Sequence, residues 1–218
     1  MSLGASDIRG LLGDLSDELA QRGVTADVFL VGGAAMALAY NSRRATRDVD
    51  GVFEPKQVVY DAAAVVGERR GVGAYWLNDA VKAYLHGPDP QARPVFEGAG
   101  LRVDVASPEY LLAMKLRAAR PEDVEDIRVL YAACGYDRAE PGLELAQDAY
   151  PGQVPARAQF MVEEMFGPEE SPAEAQTPTA QPPAEARGGA QARCSVCGRP
   201  LRAAESVARG ACPRCARR

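Results

Sequence analysis

The chain has 218 residues, a formal charge of −5 and 47% hydrophobic residues, which suits one ordinary domain with an appendage or two small ones. No apolar run approaches the ~18 residues of a membrane span. The opening MSLGASDIRG lacks a basic segment followed by an apolar stretch, so membrane and secreted classes are disfavoured and the expected address is cytoplasmic.

In chain order, Ile8, Leu11, Leu12, Leu15 and Leu19 recur at helical spacing and predict a helix over 7–21, with Ser6 as N-cap and Gly23 as stop. DVFLVGG then reads as a short strand broken by glycines, and the alanine-rich AAMALAY as a helix. In RDVDGVF, Asp48 and Asp50 are two residues apart, so in a strand both carboxylates face one side. Residues 55–69 and 77–86 are expected to be helical. PVFEGAGLRVDVA predicts two strands joined by a glycine-containing turn, with Val103 and Val105 on one face and Asp104 on the other. SPEYLLAMKLRAAR opens a helix with Ser107 as N-cap and Pro108 at its first position; PEDVEDIRVLYAACG repeats the device with Pro121 and stops at Gly135. Two further helices are expected near 141–149 and 153–166.

Residues 167–192 hold Pro, Ala, Glu, Gln and Gly without a bulky apolar side chain, and should form a disordered tether. The expected organisation is a body over 1–166, a linker over 167–192 and a small module over 193–218. That module carries four of the five cysteines, as two C-x-x-C pairs, Cys194 with Cys197 and Cys212 with Cys215. Two such pairs complete a tetrahedral Zn2+ site, and metal binding would supply most of the module's folding free energy. A redox dithiol is the alternative. Seven arginines against the one Glu205 make a basic zinc ribbon suited to nucleic-acid phosphate, or to docking a partner protein.

Asp48, Asp50 and Asp104 on neighbouring strands would form a hard-oxygen cluster suited to Mg2+, costly unless cations neutralise it. Gly32 and Gly33 at a strand-to-helix turn let the backbone approach a phosphate. Taken singly, each motif is common on turns and exposed strands; in this order they point to nucleotide handling. Arg43, Arg44 and Arg47 either steer phosphates or balance charge. Trp76, Tyr75 and Tyr84 read as core and rim, with base stacking as the alternative. His86 reads as a helix-end or surface residue.

The stretch FLVGGAAMALAYNSRRATRDVD, followed by RVDVASPEYLLAMKLRAARPEDVEDI, resembles the DNA polymerase β-like nucleotidyltransferase superfamily, specifically its AbiEii/MenT-type toxin branch and uncharacterised relatives. The resemblance spans about residues 28–133. It implies an α+β fold with a small mixed sheet flanked by helices. It also implies an enzyme that uses Mg2+ to move a nucleoside monophosphate from an NTP onto a hydroxyl, with tRNA or another RNA as acceptor and a cognate antitoxin as partner. By the same resemblance, Gly32 and Gly33 would cradle the triphosphate and Asp48 and Asp50 would bind metal. Asp104 would be the third carboxylate, Lys115 the phosphate-binding lysine, and Asp123, with Asp126 second, the downstream acidic motif. The competing reading is a non-catalytic adaptor, a degenerate nucleotidyltransferase body tethered to a zinc ribbon. Transfer to a small molecule would require an acidic acceptor pocket.

Overall fold

The computed structural model describes residues 2–41, 43–167 and 195–196. The linker beyond Gly167 and all four cysteines of the expected zinc module lie outside the described residues. Contacts divide the chain into two units, Met1–Glu169 and Glu170–Arg218, and every element below belongs to the first.

Helix α1, Ala5–Gln21, buries Ile8, Leu11, Leu12, Leu15 and Leu19, the stripe expected from the spacing. At roughly 1.5–3 kcal/mol per fully buried aliphatic side chain, this face alone anchors the helix. Its N-cap is Gly4 rather than Ser6: the Gly4 N–H donates to Asp7 Oδ2 at 2.9 Å, and Ser6 falls inside the helix. Strand β1, Ala26–Leu30, leads into helix α2, Gly32–Ala35, which continues as a π-helical stretch, Met36–Tyr40. Strand β2, Val49–Glu54, is followed by α3, Lys56–Arg70.

The helix expected over 77–86 is instead a two-residue strand β3, Leu77–Asn78, followed by a 3-10 turn, Ala80–Tyr84. The sheet explains the difference. Leu77 and Asn78 pair in parallel with Val49 and Asp50, and the Val49 N–H donates to the Trp76 carbonyl at 2.7 Å. Trp76 is buried, with its Nε1–H donating to the Ala63 carbonyl at 2.9 Å. Completing the edge of β2 and seating an indole outweigh local helix propensity here.

Strands β4, Arg93–Glu97, and β5, Leu101–Val105, form the expected antiparallel pair. The sheet order is β3-β2-β1-β5-β4. It is mixed, since β1 runs antiparallel to β2 and parallel to β5. One face presents Val28, Leu30, Val49, Phe53, Val103 and Val105 to the core. Alternation puts Phe29, Asp50, Val52 and Asp104 on the opposite face.

The remaining helices are α4, Pro108–Ala118; α5, Val124–Cys134, entered through a 3-10 turn at Pro121–Asp123; α6, Ala139–Ala149; and α7, Ala156–Phe166. Ser107 caps α4 as expected, its side chain accepting from the Tyr110 N–H at 3.2 Å, and Gly135 ends α5 in the left-handed conformation. Helix α4 packs against α5 and α6, and its Tyr110 meets Phe29 edge-on, with ring centroids 5.6 Å apart. This joins the helical half to the polar face of the sheet. Among the described residues no helix is long and apolar enough to cross a membrane.

Candidate active site

The glycine turn is built around the aspartates. After β1 the Val31 N–H donates to the Asp50 carbonyl at 3.0 Å, and Gly32 then adopts φ +63°, a conformation L side chains rarely take. A Cβ on Gly32 would lie 3.2 Å from Asp50 Oδ2, and one on Gly33 would lie 2.7 Å from Thr46 Oγ1 and 2.9 Å from Thr46 Cβ. Both glycines therefore keep the chain close to the segment that carries the carboxylates. Gly33→Ala is expected to cost ~1–3 kcal/mol in urea unfolding, the usual penalty of overpacking. Thr46→Gly in the same chain should recover part of the loss, because both crowded atoms leave with the threonine side chain; strict additivity would show that the contact does not matter.

Burial, and secondarily the repulsion of Asp48, push the Asp50 carboxyl above the usual carboxylate range, while Asn78 and Arg120 pull it partly back. Asn78 also donates from Nδ2 to Asp48 Oδ2 at 3.4 Å. Two carboxylates close together, one of them short of compensating positive charge, fit a small hard cation. Mg2+ takes one or two carboxylates and completes its shell with water and phosphate oxygens.

Asp48 and Asp50 line a cleft of about 970 Å3 together with Gly32, Gly33, Lys115 and Asp123. Residues far apart in sequence, from the glycine turn, β2, α4 and the turn before α5, thus share one wall-to-wall space. Lys115 is buried, its Nζ lying 2.5 Å from Asp123 Oδ1 and 2.8 Å from Asp126 Oδ2. Asp126 is 1% exposed and also meets Arg44 Nη2 at 3.4 Å. Lysine and downstream aspartates, read separately in the sequence, form one charge cluster. Ala119 makes this possible: with φ 44° it is the only described non-glycine residue in the left-handed region, and it turns the chain so that Asp123 comes back over Lys115.

Asp104 is not brought to this cleft. Strand β1 lies between β2 and β5, and Asp104 stands in the row of Phe29 and Val52, whereas Asp50 stands beside Val31. Ideal sheet spacing puts the Cα atoms of Asp50 and Asp104 roughly 12 Å apart. Asp104 instead lines a second cleft of about 410 Å3, with Glu54, Lys56 and Asp79 among its neighbours. Among the described residues no group of three or more His, Cys, Asp or Glu side chains forms a metal cluster.

Four arginines, Arg44, Arg117, Arg120 and Arg157, also line the first cleft. Of these only Arg44 stood out in the sequence; the others sit on or just beyond helices whose surface arginines carry no distinguishing pattern. Arg43 and Arg47 are exposed. His86 packs elsewhere, its ring stacked on Tyr110 at 3.9 Å and its Nδ1 2.9 Å from the Tyr150 hydroxyl; burial lowers its pKa. Trp76 belongs to the core, Tyr75 is 81% exposed, and Tyr84 lines the cleft.

Residues 10–131 match a family described as "Nucleotidyltransferase of unknown function (DUF6036)". A solved structure described as an antigenic nucleotidyltransferase-like protein from Paracoccidioides brasiliensis is similar at 15% identity, covering 68% of this chain and 88% of that one, with a TM-score of 0.35. No curated protein matches.

Proposed function

Because the chain belongs to that nucleotidyltransferase family, we propose that it transfers a nucleoside monophosphate from an NTP to a hydroxyl acceptor in a Mg2+-dependent reaction that releases pyrophosphate. The observation that carries this reading is the single cleft lined by Gly32, Gly33, Asp48, Asp50, Lys115 and Asp123.

Mg2+ held by Asp48 and Asp50 would offset the charge that develops on the transferring phosphoryl group. Gly32 and Gly33, bare of side chains, admit the phosphates to the backbone. Arg120, which also lines the cleft, would supply positive charge for the non-bridging oxygens. Asp123 and Asp126 hold the Lys115 ammonium in one orientation toward that space. Asp104 is given no part at the reacting atoms.

For the acceptor we propose RNA, tRNA first, and for the biological setting a toxin–antitoxin pair. The support is the resemblance of the glycine, aspartate and lysine motifs to the AbiEii/MenT-type branch, together with exposed Arg43 and Arg47 flanking Arg44 of the cleft. The C-terminal module is proposed to bind Zn2+ through Cys194, Cys197, Cys212 and Cys215; four thiolates in two C-x-x-C pairs are a donor set suited to that ion. Its arginines would dock nucleic acid or the antitoxin.

Incubation with labelled NTPs, Mg2+ and total RNA should label an RNA, and the Asp48→Ala, Asp50→Ala double variant should label none. Persistent labelling in that variant would exclude this mechanism. Absence of any NTP-dependent rise in Tm, with or without Mg2+, would favour a non-catalytic adaptor.

A further inference from the structure

The cleft is larger than a triphosphate and its cation require, and its lining is of two kinds. Glycines and carboxylates make one part. The other contains two aromatic rings, a guanidinium and an amide: Tyr84, Tyr150, Arg117 and Gln153. These four are organised among themselves. The Arg117 guanidinium lies 5.2 Å from the centroid of the Tyr84 ring and 4.8 Å from that of Tyr150, and its Nη2–H donates to Gln153 Oε1 at 3.0 Å. The Tyr150 hydroxyl donates to the Tyr84 carbonyl at 2.6 Å, tying the two tyrosine segments together. Tyr84 itself remains 55% exposed.

Such a cluster has little to offer a phosphate. Arg117 is already engaged with two rings and an amide, and a phenol ring repels anions from its face. Flat π surfaces with a cation stacked behind them are instead the usual receptor for a nucleobase. The Gln153 amide oxygen is taken by Arg117, which leaves the Nε2–H2 group to hydrogen-bond a base edge.

We infer that the Tyr84–Arg117–Tyr150 cluster receives the base of the incoming NTP, with Tyr84 as the stacking surface and Arg117 holding its ring in place. This rests on the nucleotidyltransferase reading above and adds the part of the cleft that sets affinity for the nucleoside. Tyr84 falls outside both stretches that carry the glycine, aspartate and lysine motifs, so a role for it is independent of the reacting end.

The test compares two probes on the full chain in the presence of Mg2+: an NTP, which has a base, and inorganic tripolyphosphate, which has none. Tyr84→Ala should weaken NTP binding roughly 5- to 150-fold, the range found when a stacked aromatic is truncated. Tripolyphosphate binding should be unchanged, and Tyr84→Phe should bind NTP within about 3-fold of the natural chain. Since Tyr84 is exposed, its variants should keep the natural Tm. Equal weakening of both probes, no weakening of either, or a defect confined to the KM for RNA would overturn the assignment. If the natural chain binds tripolyphosphate but no NTP, both this inference and the proposed activity fall. If it binds NTP and Tyr84→Ala is neutral, only this inference falls.

Discussion

Asp50→Asn is expected to reduce nucleotide transfer by at least about 10³-fold while raising the Tm of the metal-free protein. The first effect follows from losing one of the two carboxylates proposed to hold the cation; several kcal/mol of charge stabilisation at about 1.4 kcal/mol per tenfold gives that order. The second follows from the raised pKa of Asp50, whose causes are burial and then Asp48. A carboxyl whose folded-state pKa lies above its unfolded value destabilises the fold when ionised, and the penalty is relieved as pH falls through the folded pKa. Asparagine removes that penalty. The Tm advantage of the variant should therefore be present at pH 7 and shrink as pH falls and the natural carboxyl protonates. Added Mg2+ should raise the Tm of the natural chain and not that of the variant. Scanning calorimetry across pH, with and without Mg2+, reads all of this, and a lower Tm for Asp50→Asn at pH 7 with transfer intact would refute it.

Lys115→Met is expected to be among the most destabilising single changes in the body. It leaves Asp123 and Asp126 buried with Arg44, 3.4 Å from Asp126, as the remaining cation of the cluster. Breaking a buried ion pair from one side costs about 3–5 kcal/mol, because the abandoned charge stays desolvated. Adding Asp123→Asn and Asp126→Asn should return much of that stability, since the cost lies in the unpaired carboxylates. Urea unfolding of the single and triple variants decides it: a loss below about 1 kcal/mol in the single variant would mean that Lys115 is not what neutralises the pair.

Local patterns carried most of what the sequence made legible. The α1 stripe, the glycine turn and the Ser107-Pro108 cap each depend on neighbours within a few residues, and each forms as expected, whereas of the two alternating aspartates only Asp50 lies in β2, which begins one residue after Asp48. Strand order is a different kind of fact. Nothing in RDVDGVF or GLRVDVA says that β1 will sit between them, so Asp104 looked like a neighbour of Asp50 when it faces another cleft. Residues 77–86 misled for a related reason, because an edge of β2 several turns of chain away recruits Leu77 and Asn78. The cleft arginines were hidden by composition: with only three lysines in the chain, an arginine on a helix surface is unremarkable, whereas a lysine is not.

The left-handed bend at Ala119 has a consequence for how this site can change. Helix α4 cannot continue into Pro121, which holds Arg120 extended, so the whole reversal is made by one residue. An L-residue in that conformation costs about 1–2 kcal/mol, and the chain carries this cost between two otherwise unstrained helices. The distance from Lys115 to Asp123 is therefore set by loop length rather than by either side chain. Inserting a single residue between 118 and 121 would leave every charged group and both helices in place and still take the cluster apart.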